Sequence, residues 1–353
     1  GVSVSGGTFT MSGGTISGNT ASSSGGGGVA VYNNGTFTME GGTISGNTAS
    51  SSSSSSGGGV FVGGYSTFTM NDGTISGNTA FSSFSAAYGG GVSVGSNGTF
   101  TMNDGTISEN TASSGGGVYV DSNGTFTMEG GTISGNTASS SSYGGGGVYV
   151  NSNGTFTMND GTISENTASS YGGGVYVYNG GTFTMNDGTI SENTASSGGG
   201  VSVGSNGTFT MNDGTISGNT VSSISSGGGG VYVDSNGTFT MEGGTISGNT
   251  AFFSYGGGVY GSLTMTGGTI SGNTASSGGG VYNVGGFTKT GGVITGYGSD
   301  TANGNKVVRN GTVVNGSGHA VCAGTGKLLE KTVSEDHNLD SSVSGAGGGW
   351  VDE

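Results

Sequence analysis

The stretch Gly124-Thr125-Phe126-Thr127-Met128-Glu129-Gly130-Gly131-Thr132-Ile133-Ser134-Gly135-Asn136-Thr137-Ala138 decides the fold, because the chain repeats it almost unchanged from end to end. Its first Thr returns at Thr8, Thr36, Thr67, Thr99, Thr155, Thr182, Thr208 and Thr238. A looser copy runs through Leu263-Thr264-Met265, and a decayed one through Phe287-Thr288-Lys289. Copies follow one another every 24–32 residues or so, the length of a solenoid coil. A unit that short cannot bury its own apolar face, so successive units must stack.

The spacing inside a copy is rigid. A Gly run ends on Val29, Val60, Val92, Val118, Val148, Val175, Val201 or Val231. Seven positions later stands the Thr of Thr-Phe-Thr, as from Val148 to Thr155, and seven later again the Thr of Thr-Ile-Ser, as from Thr155 to Thr162. Length varies only between Asn-Thr-Ala and the next Val. Two invariant corners, one elastic corner and three short strands describe one coil of a parallel β-helix, with about eleven coils in all. Strand side chains alternate sides. Val118 and Val120, Phe126 and Met128, and Ile133 therefore face the core, whereas Tyr119, Thr125 and Thr127 face away. The Asn at a fixed phase (Asn19, Asn47, Asn78, Asn110, Asn136, Asn166, Asn193, Asn219, Asn249, Asn273) is expected to form a coil-to-coil hydrogen-bonded ladder.

Composition narrows the function. Of 353 residues 87 are Gly and none is Pro, so every backbone N–H outside the terminus is available as a ladder donor. The net charge is −15, and the only cations are Lys289, Lys306, Arg309, Lys327 and Lys331. An array without cations up to residue 288 is a poor partner for nucleic acid or an anionic membrane surface. It also holds no apolar run long enough to cross a membrane. Cys322 is the only cysteine, so no internal disulfide forms. This composition points to an extracellular or cell-surface microbial protein. The chain begins inside a coil pattern, Val2-Ser3-Val4, from which a processed or truncated N-terminus is expected. Residues 1–297 read as the array. Residues 298–353, which hold His319, His337 and Trp350, read as a C-terminal capping or docking segment.

Ile107-Ser108-Glu109-Asn110 ahead of Gly115-Gly116-Gly117-Val118 resembles the repeat of polymorphic outer membrane proteins, with Ile in place of Phe and Gly in place of Ala. The resemblance covers about residues 1–297. It implies a right-handed, pectate-lyase-like parallel β-helix acting as an autotransporter passenger or adhesin.

Four sets of residues are candidates for function. Asp160, Asp187 and Asp213 recur in register as an acidic column that can take Ca²⁺ or stay solvated; no other cofactor is implied. The elastic corner carries Phe81, Phe84, Tyr88, Tyr143, Tyr171, Phe252, Phe253 and Tyr255. Beside it runs the outward column Tyr119, Tyr149, Tyr176, Tyr232 and Tyr260. These aromatics, with Trp350, either anchor a glycan or protein partner or fold back as a satellite core. The pairs Thr99/Thr101, Thr125/Thr127, Thr155/Thr157, Thr182/Thr184 and Thr208/Thr210 form a flat hydroxyl and methyl grid resembling that of ice-binding solenoids. No catalytic cluster is legible, because the acids recur with the repeat. The leading expectation is a structural stalk or fibre subunit that binds itself head to tail; adhesin and ice-binding roles are the alternatives.

The inside–outside assignment is directly testable. Phe126→Asp should cost more than about 4 kcal/mol by burying an uncompensated charge. Thr127→Asp should cost about 1 kcal/mol. Equal shifts of the denaturant midpoint for the two variants would refute the assignment.

Overall fold

The computed structural model of the protein describes residues 1–22, 25–51, 55–83, 86–95, 97–121, 123–224, 227–297, 300–314, 320–323, 330–331, 338–339, 343–344 and 350–351. Its strands stack into long parallel sheets that run the length of the molecule. The first sheet is built from the Val-x-Val strands, such as Val118–Val120 and Val148–Val150. The second uses the Thr-Phe-Thr-Met strands, such as Thr125–Met128, and the third the Thr-Ile-Ser strands, such as Thr132–Ser134. Register is that of identical residues: Phe126 pairs with Phe156, and Ile133 with Ile163.

Three strands per coil is one too few. The Thr-Ala of Asn-Thr-Ala is extended, and it pairs with its counterpart in the next coil, as Thr137 and Ala138 do with Thr167 and Ala168. A fourth sheet results, so the strands form four sheets of 12 among the described residues. Its strands are mostly two residues long, too short for alternation to announce them. Ala138, Ala168 and Ala195 face inward there and form an apolar cluster apart from the main core.

The main core is one continuous column. The inward Val, Phe, Met and Ile of every coil from Val29 to Ile270 are essentially inaccessible to solvent. Successive Phe rings stack with centroids 4.7 Å apart and planes 5° apart, as in Phe126–Phe156 and Phe156–Phe183. That separation equals the spacing of strands in a sheet, so backbone ladder and ring stack share one period. Lys289 follows Met265 in the Met column and is fully buried.

The Asn ladder is buried too. Asn166 Oδ1 accepts from both the backbone N–H and Nδ2 of Asn136, at 2.9 Å each. Its Nδ2 donates to Asn193 Oδ1 at 3.0 Å and to the Ile133 carbonyl at 2.9 Å. Every hydrogen-bonding position of the amide is thereby used. The ladder continues past Asn273 to Asn305, whose Nδ2 ends on the carbonyls of Ile270 and Thr295.

The Gly runs serve this ladder. Gly172 has φ +60°, as expected where the elastic corner rejoins the first strand. Gly174 has a different reason: a Cβ there would lie 2.9 Å from Ile190 Cγ2 and 3.1 Å from Asn193 Nδ2. The backbone passes directly against the ladder and leaves no room for a side chain.

At the C-terminal end, Val321–Ala323 adds in parallel to the first sheet. Val343–Ser344, Asn338–Leu339 and Thr312–Val313 pair antiparallel on the second, third and fourth sheets.

Replacing Asn166 by Ala strands two donors of Asn136 and the Ile133 carbonyl inside the core. The loss should be about 3 kcal/mol or more, at 1–3 kcal/mol per orphaned group. Asn159→Ala on the surface should shift the urea midpoint by the equivalent of less than about 0.5 kcal/mol.

Candidate functional site

The residue after the first Val of each first-sheet strand faces away from the main core. From Ser93 onward it reads Ser93, Tyr119, Tyr149, Tyr176, Ser202, Tyr232, Tyr260 and Tyr282. Neighbouring rings touch: Tyr149–Tyr176 centroids are 5.0 Å apart and Tyr232–Tyr260 5.2 Å. Residues of the elastic corner lie over this column. Tyr88 stacks on Tyr119 at 4.5 Å, and Tyr171 on Tyr176 at 5.4 Å. Tyr119, Tyr149 and Tyr176 are consequently buried, with Tyr88, Tyr171 and Tyr178 packed against them. These three column tyrosines form a satellite core, the second of the two dispositions the sequence left open for them. Period-two alternation fixes which face a side chain takes, but not whether a corner of variable length folds over it.

Burial controls the chemistry of these phenols. It raises the pKa of Tyr119, Tyr149 and Tyr176 far above the usual value; at Tyr119 the nearby Asp121 carboxylate adds to the rise. Tyr232 is pushed up to about 12, first by burial and then by Asp234. Asn151 Nδ2 donates to the Tyr119 hydroxyl at 3.2 Å.

The column is broken at Ser202. There the surface opens into a cleft of about 250 Å³ bounded by Tyr143, Tyr171, Tyr176, Tyr178 and Tyr232, with Asp234 and Ser202 in its lining. A second cleft of about 290 Å³ adjoins it, sharing Tyr232 and Asp234 and reaching Tyr260.

With coil geometry and clefts in view, comparison with known proteins gives a consistent result. The family model described as "Right handed beta helix region" matches residues 1–213, more than half of the chain. The chain belongs to the right-handed β-helix family. No curated protein and no solved structure matches it.

Right-handed β-helix geometry disposes the other candidates as follows. Asp160, Asp187 and Asp213 stand in register, but each Oδ1 accepts the N–H of the following Gly, at 2.6–2.8 Å. No group of three or more metal-ligating side chains gathers among the described residues. The neighbouring Asn residues form a surface ladder: Asn212 donates to Asn186, Asn186 to Asn159, and Asn159 to the Glu129 carboxylate. Glu40 receives Asn71 in the same way. A carboxylate only accepts, so a Glu begins each run, and this accounts for the alternation of Glu and Asn after Met.

Phe81, Phe252, Phe253, Tyr143 and Tyr255 are exposed on the elastic corner, whereas Tyr88, Tyr171 and Tyr232 are half-buried. Phe84, His319 and His337 lie outside the described residues. Trp350 pairs through its backbone with Lys331. Thr99, Thr101, Thr125, Thr127, Thr155, Thr157, Thr182, Thr184, Thr208 and Thr210 are half-buried and in register across the second sheet. The sequence reading missed Asn305 and the Ser202 gap. The gap is visible as Val201-Ser202-Val203 among the Val-Tyr-Val strands.

The tyrosine pKa values set the alkaline behaviour. The phenols of Tyr119, Tyr149, Tyr176 and Tyr232 are raised in the folded state, so above about pH 10 the unfolded chain binds fewer protons at them than the folded one and stability falls with rising pH. The Tyr232 contribution is present below pH 10 and is lost as pH rises from 10 through about 12. Absorbance titration near 295 nm should show Tyr119, Tyr149 and Tyr176 ionising only together with loss of β-sheet circular dichroism.

Proposed function

We propose that this chain is a non-catalytic, extracellular structural β-solenoid: a stiff stalk or fibre subunit at a microbial surface. The observation that carries the reading is the unbroken, in-register stack of buried Asn and Phe from coil to coil. With 12 strands per sheet it makes a rod about 50 Å long. Such a stack resists bending because any kink breaks hydrogen bonds and ring contacts at once. The resemblance to outer-membrane passenger repeats agrees with a surface location. Residues 298–353 act as the end piece, the described strands of that segment adding to all four sheets. Asn97, Asn123, Asn153, Asn206 and Asn236, each followed by Gly-Thr, are exposed and are acceptors for N-linked glycan in a host that glycosylates.

A second reading is adhesion. Ile224 (76% exposed) and Phe253 (69%) project from the elastic corner, where a rigid scaffold presents variable loops to a glycan or protein. The in-register threonine face supports a third role, ice binding.

Negative-stain microscopy and light scattering of purified chain separate these roles. A fibre subunit should give filaments or concentration-dependent mass, and removal of residues 298–353 should change both. A chain that stays monomeric at high concentration, with specific hits on a glycan or protein array, makes the adhesin reading correct. Thermal hysteresis lost in Thr127→Lys makes the ice-binding reading correct.

A further inference from the structure

We propose that the cleft over Ser202 is a binding site for a small alkylated ammonium cation bearing a hydroxyl group, of the choline type. Its geometry follows from a vacancy in the tyrosine column. Tyr176, Ser202 and Tyr232 are consecutive partners in the first sheet. Strands are about 4.8 Å apart, so Tyr176 and Tyr232 emerge about 9.6 Å from each other with no ring rooted between them. Tyr171 leans over the opening, 5.4 Å from Tyr176 and 6.3 Å from Tyr232, its plane tilted 41° to the latter. Tyr178 stacks against Tyr176 at 5.6 Å, and Tyr143 stands at 63° to Tyr178. Gly204 makes this possible, since a Cβ there would lie 2.8 Å from the Tyr178 ring. Tyr176 itself is buried, so the rings that offer negative π-faces to one compact guest are those of Tyr143, Tyr171, Tyr178 and Tyr232, set at several angles and exposed or half-buried.

Two further features select the guest. Asp234 lies in the lining and is the only charged residue there. The array holds no Lys or Arg before residue 289, and the chain carries a net charge of −15. The surrounding field therefore concentrates cations and repels anions. At the floor, the Ser202 hydroxyl is buried and makes no hydrogen bond, although it lines the cleft. A buried hydroxyl without a partner is costly, and a hydroxyl on the guest satisfies it. Rings for an ammonium group, a carboxylate to balance its charge and an orphan hydroxyl for a hydroxyl occur together here. This inference is independent of the stalk reading, and its failure leaves that reading intact.

The test is titration of the full chain with choline chloride, followed by calorimetry and tyrosine fluorescence, with sodium chloride as ionic control and glucose and cellobiose as neutral-ring controls. Saturable one-to-one choline binding is expected. Asp234→Asn should weaken it at least tenfold. Ser202→Tyr should abolish it by restoring the missing ring, while keeping the β-sheet spectrum, because Tyr occupies this register in neighbouring coils. Absence of saturable choline binding overturns the proposal. So does sugar binding in its place, or choline affinity unchanged in both variants. If Ser202→Tyr fails to fold, the surface variant Asp234→Asn decides alone.

Discussion

The buried asparagine ladder is the constraint on which the rest of the molecule depends. A primary amide has two donor hydrogens and an acceptor with two lone pairs, and at Asn166 all four are spent inside the protein. Three of those bonds reach the coil before, at Asn136 and Ile133, and the fourth reaches Asn193 in the coil after. An amide placed one residue off phase would leave several of these groups unsatisfied in a dry interior, so the ladder sets the register of every coil. The fixed seven-residue spacings follow from it, because Val, Phe, Met and Ile must return to the same azimuth whenever the Asn does. The Gly run follows as well, since Gly174 lies where any side chain would collide with the ladder. Through the coil that ends at Asn249, length variation is expelled to the single corner that lies outside this frame.

The surface repeats the arrangement at lower stakes. Asn212, Asn186 and Asn159 hand hydrogen bonds down to Glu129, where the run stops because the next partner cannot donate further. The carboxylates thus act as chain terminators, and the Asp beside them tie down glycine N–H groups. Each Asp of the acidic column thus holds a turn through its Oδ1.

What the sequence disclosed and what it withheld have physical causes. Alternation within Thr125–Met128 and Val118–Val120 states which side each residue takes, and identical spacing states that the coils stack, so core and ladder were legible, whereas the hand of the helix rested on the family resemblance alone. The fourth sheet was not, because Thr137–Ala138 is too short to show a period. Asn305 was hidden by the extra residues after Thr295 that separate it from Ile294, although its amide takes the next place in the ladder. Burial of Tyr119, Tyr149 and Tyr176 depends on where an irregular corner lies, and no periodicity encodes that.

The buried ladder also has a direction. From Asn19 to Asn273 each ladder Nδ2 donates to the Asn Oδ1 of the following coil, and from Asn47 onward its other hydrogen returns to an Ile carbonyl of the coil before. Ten aligned amide dipoles therefore add along the axis, each polarising the next by roughly 10–30%. The rod is electrically unidirectional, and its middle rungs are held more tightly than its outermost ones. Fraying should begin at the ends. Two such rods meeting along one axis would continue each other's polarisation only when both run the same way, so the side-chain amides themselves distinguish a continuing contact from an opposed one.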